Sequence, residues 1–258
     1  MAGPDEELLP PRRADALSGA LMAGFALAYV LQASLPVVAP VLRAGHGLSA
    51  SRVGLLMSAF LFAYAIVQIP AGLAAARAPR SSLALGYVAM LAGALLFAWS
   101  SGFTGFAVAR VLQGAGGGVM LPTAGVLLVR LLPRRRLGRG WAIFGMGSGL
   151  GTLVAMVGLS RFDGADHRPV FLAGAAIGLA LTVLTFIVPE IRRELGDKRT
   201  RRAFPPLWPG LVGLMLDPKA GLLCLVNVAG IGVSVGVVTW MPSFLNEARG
   251  PLPTWPLP

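Results

Sequence analysis

Residues 106–118 read FAVARVLQGAGGG, and Arg110 is the one charge between Ser81 and Val129. A guanidinium stays protonated at any physiological pH and presents five N–H donors in a planar fork suited to a bound anion. It cannot itself carry a proton. On a helix, Arg110, Gln113, Gly114, Gly117 and Leu121 follow the spacing i, i+3, i+4, i+7, i+11, so one face combines a cation, an amide and small residues. Two roles fit that face. In one, Arg110 engages the negative group of a substrate while Tyr29, Gln32, Gln113 and Asn227 supply hydrogen bonds. In the other, Arg110 is a hub that ties helices 1, 4 and 5 together through amides and carbonyls. The sequence leaves both open.

No enzyme constellation accompanies it. There is no paired carboxylate, no Ser/His/Asp grouping and no phosphate-cradling loop with a lysine, and neither a cofactor nor a metal is expected. His46 and His167 fall in separate connections, where both are expected to be solvated and too far apart to hold a metal. Tyr64 and Gln68, at i and i+4, read as packing and interhelical hydrogen bonds. The lone Cys224 has no partner for an internal disulfide and reads as a packing residue.

The elements that position Arg110 follow from composition. With 55% hydrophobic residues, 13% charged residues and a mean hydropathy of +0.73, the 258-residue chain has too little polar surface for a water-soluble globule. Uncharged runs cover 16–42, 53–76, 81–109, 111–129, 140–160, 169–189 and 220–246. About 20 helical residues cross the roughly 30 Å hydrocarbon layer, so seven transmembrane helices are expected. Strands of a membrane barrel would alternate apolar and polar residues, and these runs do not. Seven helices also suit a retinal protein, but the last span has its lysine, Lys219, only at its entrance. An arginine at mid-membrane depth must face the bundle interior or water. Every Asp and Glu lies outside the expected spans, so none of them can neutralise Arg110 at depth.

The net charge of +11 is explained by topology rather than by nucleic acid. If the N-terminus is cytoplasmic, sixteen Lys and Arg fall on the inner side and five on the outer, with Arg110 the remaining one. The expected plan is a cytoplasmic tail at 1–15, a six-helix transmembrane half at 16–189, a basic cytoplasmic linker at 190–219, a seventh helix at 220–246 and an external tail at 247–258. FALAYVLQ at 25–32 and FAVARVLQ at 106–113 agree at six of eight positions, which suggests inverted three-helix repeats within the half. Tyr29 then corresponds to Arg110, and Gln32 to Gln113.

Four places carry a resemblance to the major facilitator superfamily of transporters, over essentially the first 250 residues. Arg110-Val111-Leu112-Gln113-Gly114 fits the family pattern Arg-x-x-Gln-Gly. GLAAARAPRS resembles the family's loop between helices 2 and 3, with Gly72, Arg77 and Arg80 matching as gating residues. Ala76, Pro79 and Ser81 replace its aspartate, glycine and second arginine, so the usual closing charge pair lacks its carboxylate. PRRRLGRGWAIFG is similar to the family's basic loop into helix 5, and QIPAG and TWMPSFL are similar to its endings of helices 2 and 7. In GSGLGTLVAMVGLS, Val154-Ala155 stands where proton-driven antiporters of the family have Gly-Pro.

The resemblance implies an all-α, polytopic inner-membrane transporter of a small organic solute, working by alternating access; an anionic solute is the alternative that Arg110 adds, and a coupling ion is left open. Such proteins have twelve helices in two halves. Here PLPTWPLP, with four prolines in eight residues, stands where helix 8 would begin. The competing expectation is therefore a non-transporting fragment that needs a missing C-terminal half or a partner half.

Overall fold

The computed structural model describes residues 9–158, 166–187 and, further on, 213, 216–219, 221–222, 225–226, 229–230 and 233. The chain divides into two units, 1–201 and 202–258. Among the described residues the structure is helical throughout, with no strand.

Among its described residues the first unit holds six helices: α1 (Pro11–His46), α2 (Ala50–Arg77), α3 (Pro79–Trp99), α4 (Phe103–Leu131), α5 (Arg134–Leu153) and α6 (Arg168–Ile187). A π-helical turn, Val154–Gly158, extends α5. By length and hydropathy, α1 to α4 and α5 with its π turn can each cross a bilayer. Several helices begin before the uncharged runs. At 1.5 Å per residue α1 is about 54 Å long, far more than the hydrocarbon layer needs, so charged turns at both ends project beyond it.

The connections are short because the sequence punctuates them. Gly47 ends α1 in the left-handed region at φ 62°, its N–H bonding back to Leu42 O. Two residues later Ser49 caps α2, accepting from the Arg52 N–H at 3.3 Å. A single residue, Ala78, separates α2 from α3, and Leu132-Pro133 separate α4 from α5. Two expectations are corrected here. The segment around Arg77 and Arg80 is not a loop, since Arg77 lies in the last turn of α2 and Arg80 in the first turn of α3. The basic stretch after α4 is likewise helical, with Arg134 to Arg136 opening α5. Proline at N1 or just before it starts a helix readily, and arginine is a good helix former.

Connections this short make sequential helices antiparallel, which leaves α2 parallel to α4 and α1 parallel to α5. Both parallel pairs are close-packed on glycine. A Cβ on Gly114 or Gly118 would overlap the carbonyls of Phe60 and Tyr64, and one on Gly147 or Gly151 would overlap those of Met22 and Ala26. In each case a one-turn step of glycine meets a one-turn step of carbonyls, the close approach that small residues permit in membranes. Helix α4 sits centrally, packed on α1, α2 and α3, while α6 lies against α3 and α1. Outward rows such as Leu55, Phe62, Ile66 and Ile69 of α2 are exposed. An outside this apolar suits acyl chains, not water.

In the second unit, Asp217 accepts from the Lys219 N–H at 2.9 Å and Gly221 N–H donates to Asp217 O at 2.9 Å. Asp217 thus caps a helix that Pro218 opens. The expected seventh span continues beyond the described residues, and Cys224 and Asn227 lie outside them.

Candidate functional site

Arg110 is 0% exposed and is the largest fully buried side chain among the described residues. Its Nη1 donates to Leu31 O at 2.7 Å and to Gln113 Oε1 at 2.9 Å. Nη2 donates to Gln32 O at 3.5 Å and to Met57 Sδ at 3.7 Å, and Nε donates to Leu56 O at 3.4 Å. Five donors meet five acceptors, so the fork has none left over. The guanidinium carbon also lies 4.4 Å from the ring centroid of Phe60, within cation–π range. No carboxylate pairs with it among the described residues, so its charge is solvated by protein dipoles and an aromatic face.

The partners come from α1 and α2, and Gln113 extends the set to α3 by donating from Nε2 to Gly93 O at 3.1 Å. The anticipated hub joined helices 1, 4 and 5; the geometry gives helices 1, 2, 3 and 4. The reason is packing: α5 lies against α1 and touches α4 little. Gly93 leaves the space that Gln113 occupies, since a Cβ there would come within 2.8 Å of Gln113. The two echoing segments meet here, with Arg110 bonded to the carbonyls of Leu31 and Gln32.

Tyr29 takes a different position. It lines an open groove of about 510 Å³ with Ser148, Thr152, Leu153 and Met156 of the α5 segment. Its ring stands edge-on to Phe25 at 5.0 Å. Gly117 packs between Ala28 and Tyr64. Gln32 is half-buried and offers its carbonyl to Arg110. Sequence reasoning missed Ser148 and Thr152, whose hydroxyls bond back to Gly145 O and Ser148 O, both at 2.9 Å. Their i, i+4 spacing among glycines was the available signal. The π turn at Val154–Gly158 gives Met156 to this groove, and such turns often mark functional positions.

Of the residues expected to gate, Arg77 is exposed, Arg80 is half-buried, and Gly72 faces Pro122 of α4 at an ordinary contact distance of 3.7 Å for an added Cβ. Beside them, Arg130 of α4 donates from Nη2 to Ala76 O at 2.6 Å. Ala76 has no carboxylate, and a cation instead holds the last turn of α2 by its backbone carbonyl.

The histidines depart from expectation. The His46 and His167 rings are 5.2 Å apart between centroids, and His167 is only 3% exposed. Phe97 and Phe106 lie edge-on to His167, at 5.9 and 5.6 Å. Packing of α6 on α3 and α1 brings the end of α1 and the start of α6 together, which spacing in the sequence cannot reveal. Among the described residues no group of three metal-binding side chains occurs.

The family profile described as Major Facilitator Superfamily matches residues 20–253. The protein named "Probable sulfoacetate transporter SauU" of Cupriavidus necator is 28% identical over 258 aligned residues, covering 90% of this chain and 57% of the relative. The "Phosphoglycerate transporter protein" of Salmonella typhimurium is 25% identical, covering 96% and 61% respectively. A crystal structure of a POT family transporter in complex with 5-aminolevulinic acid superposes with a TM-score of 0.62 at 19% identity, over 90% of this chain and 47% of that one. The chain thus spans a little over half the length of the curated relatives it matches. With the profile covering nearly all of it and the six-helix bundle built around Arg-x-x-Gln-Gly, the chain belongs to the major facilitator superfamily.

Proposed function

We propose that this chain forms the amino-terminal bundle of a secondary transporter that moves a small organic anion by alternating access. The observation that carries this reading is the open groove of Tyr29, Ser148 and Thr152. A phenol and two hydroxyls stand in an otherwise apolar wall, and Tyr29 lies about one turn of α1 from the carbonyl of Gln32, which holds a buried positive charge that no described carboxylate cancels. Few convergent polar groups in an apolar concavity is the usual form of a small-molecule site. The two named relatives are called transporters of sulfoacetate and phosphoglycerate, both small anions.

In this reading Tyr29 contacts substrate, while Arg110 and Gln113 act as positioning residues. They hold the groove-bearing part of α1 and add a long-range attraction for anions. Gln32 and Asn227 contribute hydrogen bonds, and Gly72, Arg77 and Arg80 belong to the gate. The opposite wall is supplied by a second bundle, in the same protein or as a partner half, and an ion couples the cycle. The N-terminus, Arg77, Arg80 and the start of α5 face the cytoplasm, as the charge distribution favours.

Uptake of labelled small sulfonated and phosphorylated carboxylates by cells producing the protein tests this. Saturable uptake lost in Tyr29→Ala and Thr152→Leu is expected, with a neutral sugar excluded. Saturable uptake of the sugar and not of the anions would remove the anion reading.

A further inference from the structure

The basic end of the bundle holds a second concavity, unrelated to the groove. One hollow of about 530 Å³ is bounded by Leu9, Pro10 and Pro11 on one side and by Pro133 and Arg134 to Arg136 on the other. An adjoining hollow of about 490 Å³ shares Pro11, Arg135 and Arg136 and reaches Arg139. Its walls are fixed: Leu9 N–H donates to Leu131 O at 3.0 Å, strapping the residue before Pro10 to the end of α4. Arg136 N–H donates to Pro133 O at 2.8 Å, closing the first turn of α5.

The electrostatics of this hollow are one-sided. Three consecutive guanidiniums begin α5, although arginine is disfavoured at the positive end of a helix. Neither α1 nor α5 has an acidic residue in its first turn or a side-chain cap on its free N–H groups. Asp15, the carboxylate nearby, is taken by Arg139 through two hydrogen bonds, each 3.1 Å. Among the described residues no carboxylate pairs with Arg134, Arg135 or Arg136. Two helix N-termini and three guanidiniums therefore share a cleft whose counter-charge is not supplied by described side chains.

We propose that this cleft binds a phosphate group, that of an anionic phospholipid headgroup. Guanidinium forks bind phosphate oxygens in pairs, and a helix start adds further donors. The lipid is the favoured source because the cleft's other described lining is apolar, Leu9 with three prolines, and lies at the end of membrane-crossing helices. There a headgroup's phosphate and its glycerol edge arrive together. Free inorganic phosphate shares the chemistry, and the acidic residues Asp5, Glu6 and Glu7, just before Leu9 in sequence, are a rival occupant from the chain itself.

The test is phospholipid retention by the full chain in detergent, read by native mass spectrometry with phosphatidylglycerol, phosphatidylcholine and inorganic phosphate as separate probes. Arg135→Gln/Arg136→Gln is compared with Arg43→Gln/Arg52→Gln, an equal charge change at the other end, and thermal unfolding in phosphatidylcholine nanodiscs confirms that both fold. Preferential retention of phosphatidylglycerol, weakened about 10-fold or more by the first pair and not by the second, is the expected result. Competition by millimolar inorganic phosphate with no preference between the lipids keeps the phosphate site and transfers it to the free ion. Equal retention by both variants overturns the proposal. So does retention that appears only after Asp5→Asn/Glu6→Gln/Glu7→Gln, which would give the cleft to the chain's own acids.

Discussion

Gln113 stands one helical turn from Arg110 and faces two ways, accepting from Arg110 Nη1 at 2.9 Å and donating to Gly93 O at 3.1 Å. Of the common side chains, only a primary amide of this length does both. A glutamate would lose the donor, and a leucine would lose both groups. The pair therefore links the guanidinium, whose other partners are on α1 and α2, to α3. Conserving charge at position 110 is not sufficient for such a joint, because the geometry of the fork decides how many carbonyls it can hold.

Arg110→Ala should accordingly destabilise the protein by about 3 kcal/mol, through lost charge-assisted bonds and an unfilled space beside Phe60. Arg110→Lys should recover little, since an ammonium has three donors on a flexible stem and cannot match five fixed acceptors. Gln113→Leu should fall between wild type and Arg110→Ala. Thermal unfolding in detergent without substrate reads this. An unfolding temperature for Arg110→Ala equal to that of wild type would show that the bonds are not structural.

The glycine seams give an independent stability prediction. Gly114→Ala and Gly118→Ala should each cost about 1–3 kcal/mol, because the new methyl meets backbone carbonyl of α2, which cannot rotate away. Gly19→Ala, where nothing lies within 4 Å of the new Cβ, should gain about 0.5–1 kcal/mol. Comparable losses at all three positions would mean that helix flexibility, not close approach, is what these glycines provide.

How legible all this was depends on whether a signal is local. The helices, the arginine's inward direction and the α1–α2 connection at Gly47 and Ser49 follow from charge gaps and capping residues. The partners of Arg110 do not, because four of its five acceptors lie on α1 and α2, 53 to 79 residues away. Three of those are main-chain carbonyls, which leave no mark on residue type. Arg130 was passed over for the same reason: its acceptor, Ala76 O, belongs to a residue chosen for what it lacks. Ser148 and Thr152 were hidden differently, since a hydroxyl bonded to its own helix looks like any other helical residue. His46 and His167 misled because sequence distance says nothing about which helix ends share a face.

Orientation can be checked at two exposed glycines that have open space around them, Gly138 on α5 and Gly45 near the end of α1. In a Cys224→Ala background, Gly45→Cys should react with a membrane-impermeant maleimide in intact cells. Gly138→Cys should react only after permeabilisation. The reverse pattern would turn the bundle over, and labelling of both in intact cells would contradict the odd number of crossings between them.

His167 carries a pH dependence whose sign follows from its burial. Removal from water lowers its pKa below the ordinary value of 6.5, and the neighbouring His46 and Arg168 push the same way. Asp166, 3.7 Å from Nδ1, and the nearby backbone of Phe97 oppose the shift without reversing it. Nε2 is buried with no partner among the described residues, so a proton added there finds no acceptor. Between the lowered folded value and the unfolded value the unfolded chain binds more protons, and stability rises with pH in that window. The contribution is therefore whole above about pH 6.5 and is lost as pH falls through the window. The unfolding temperature of wild type should fall by a few degrees more between about pH 7.5 and about pH 5 than that of His167→Phe, whose ring would keep the packing against Phe97 and Phe106. Parallel pH profiles for the two proteins would place the proton elsewhere. A steeper fall in the phenylalanine variant would reverse the sign and make His167 a residue that the fold prefers charged.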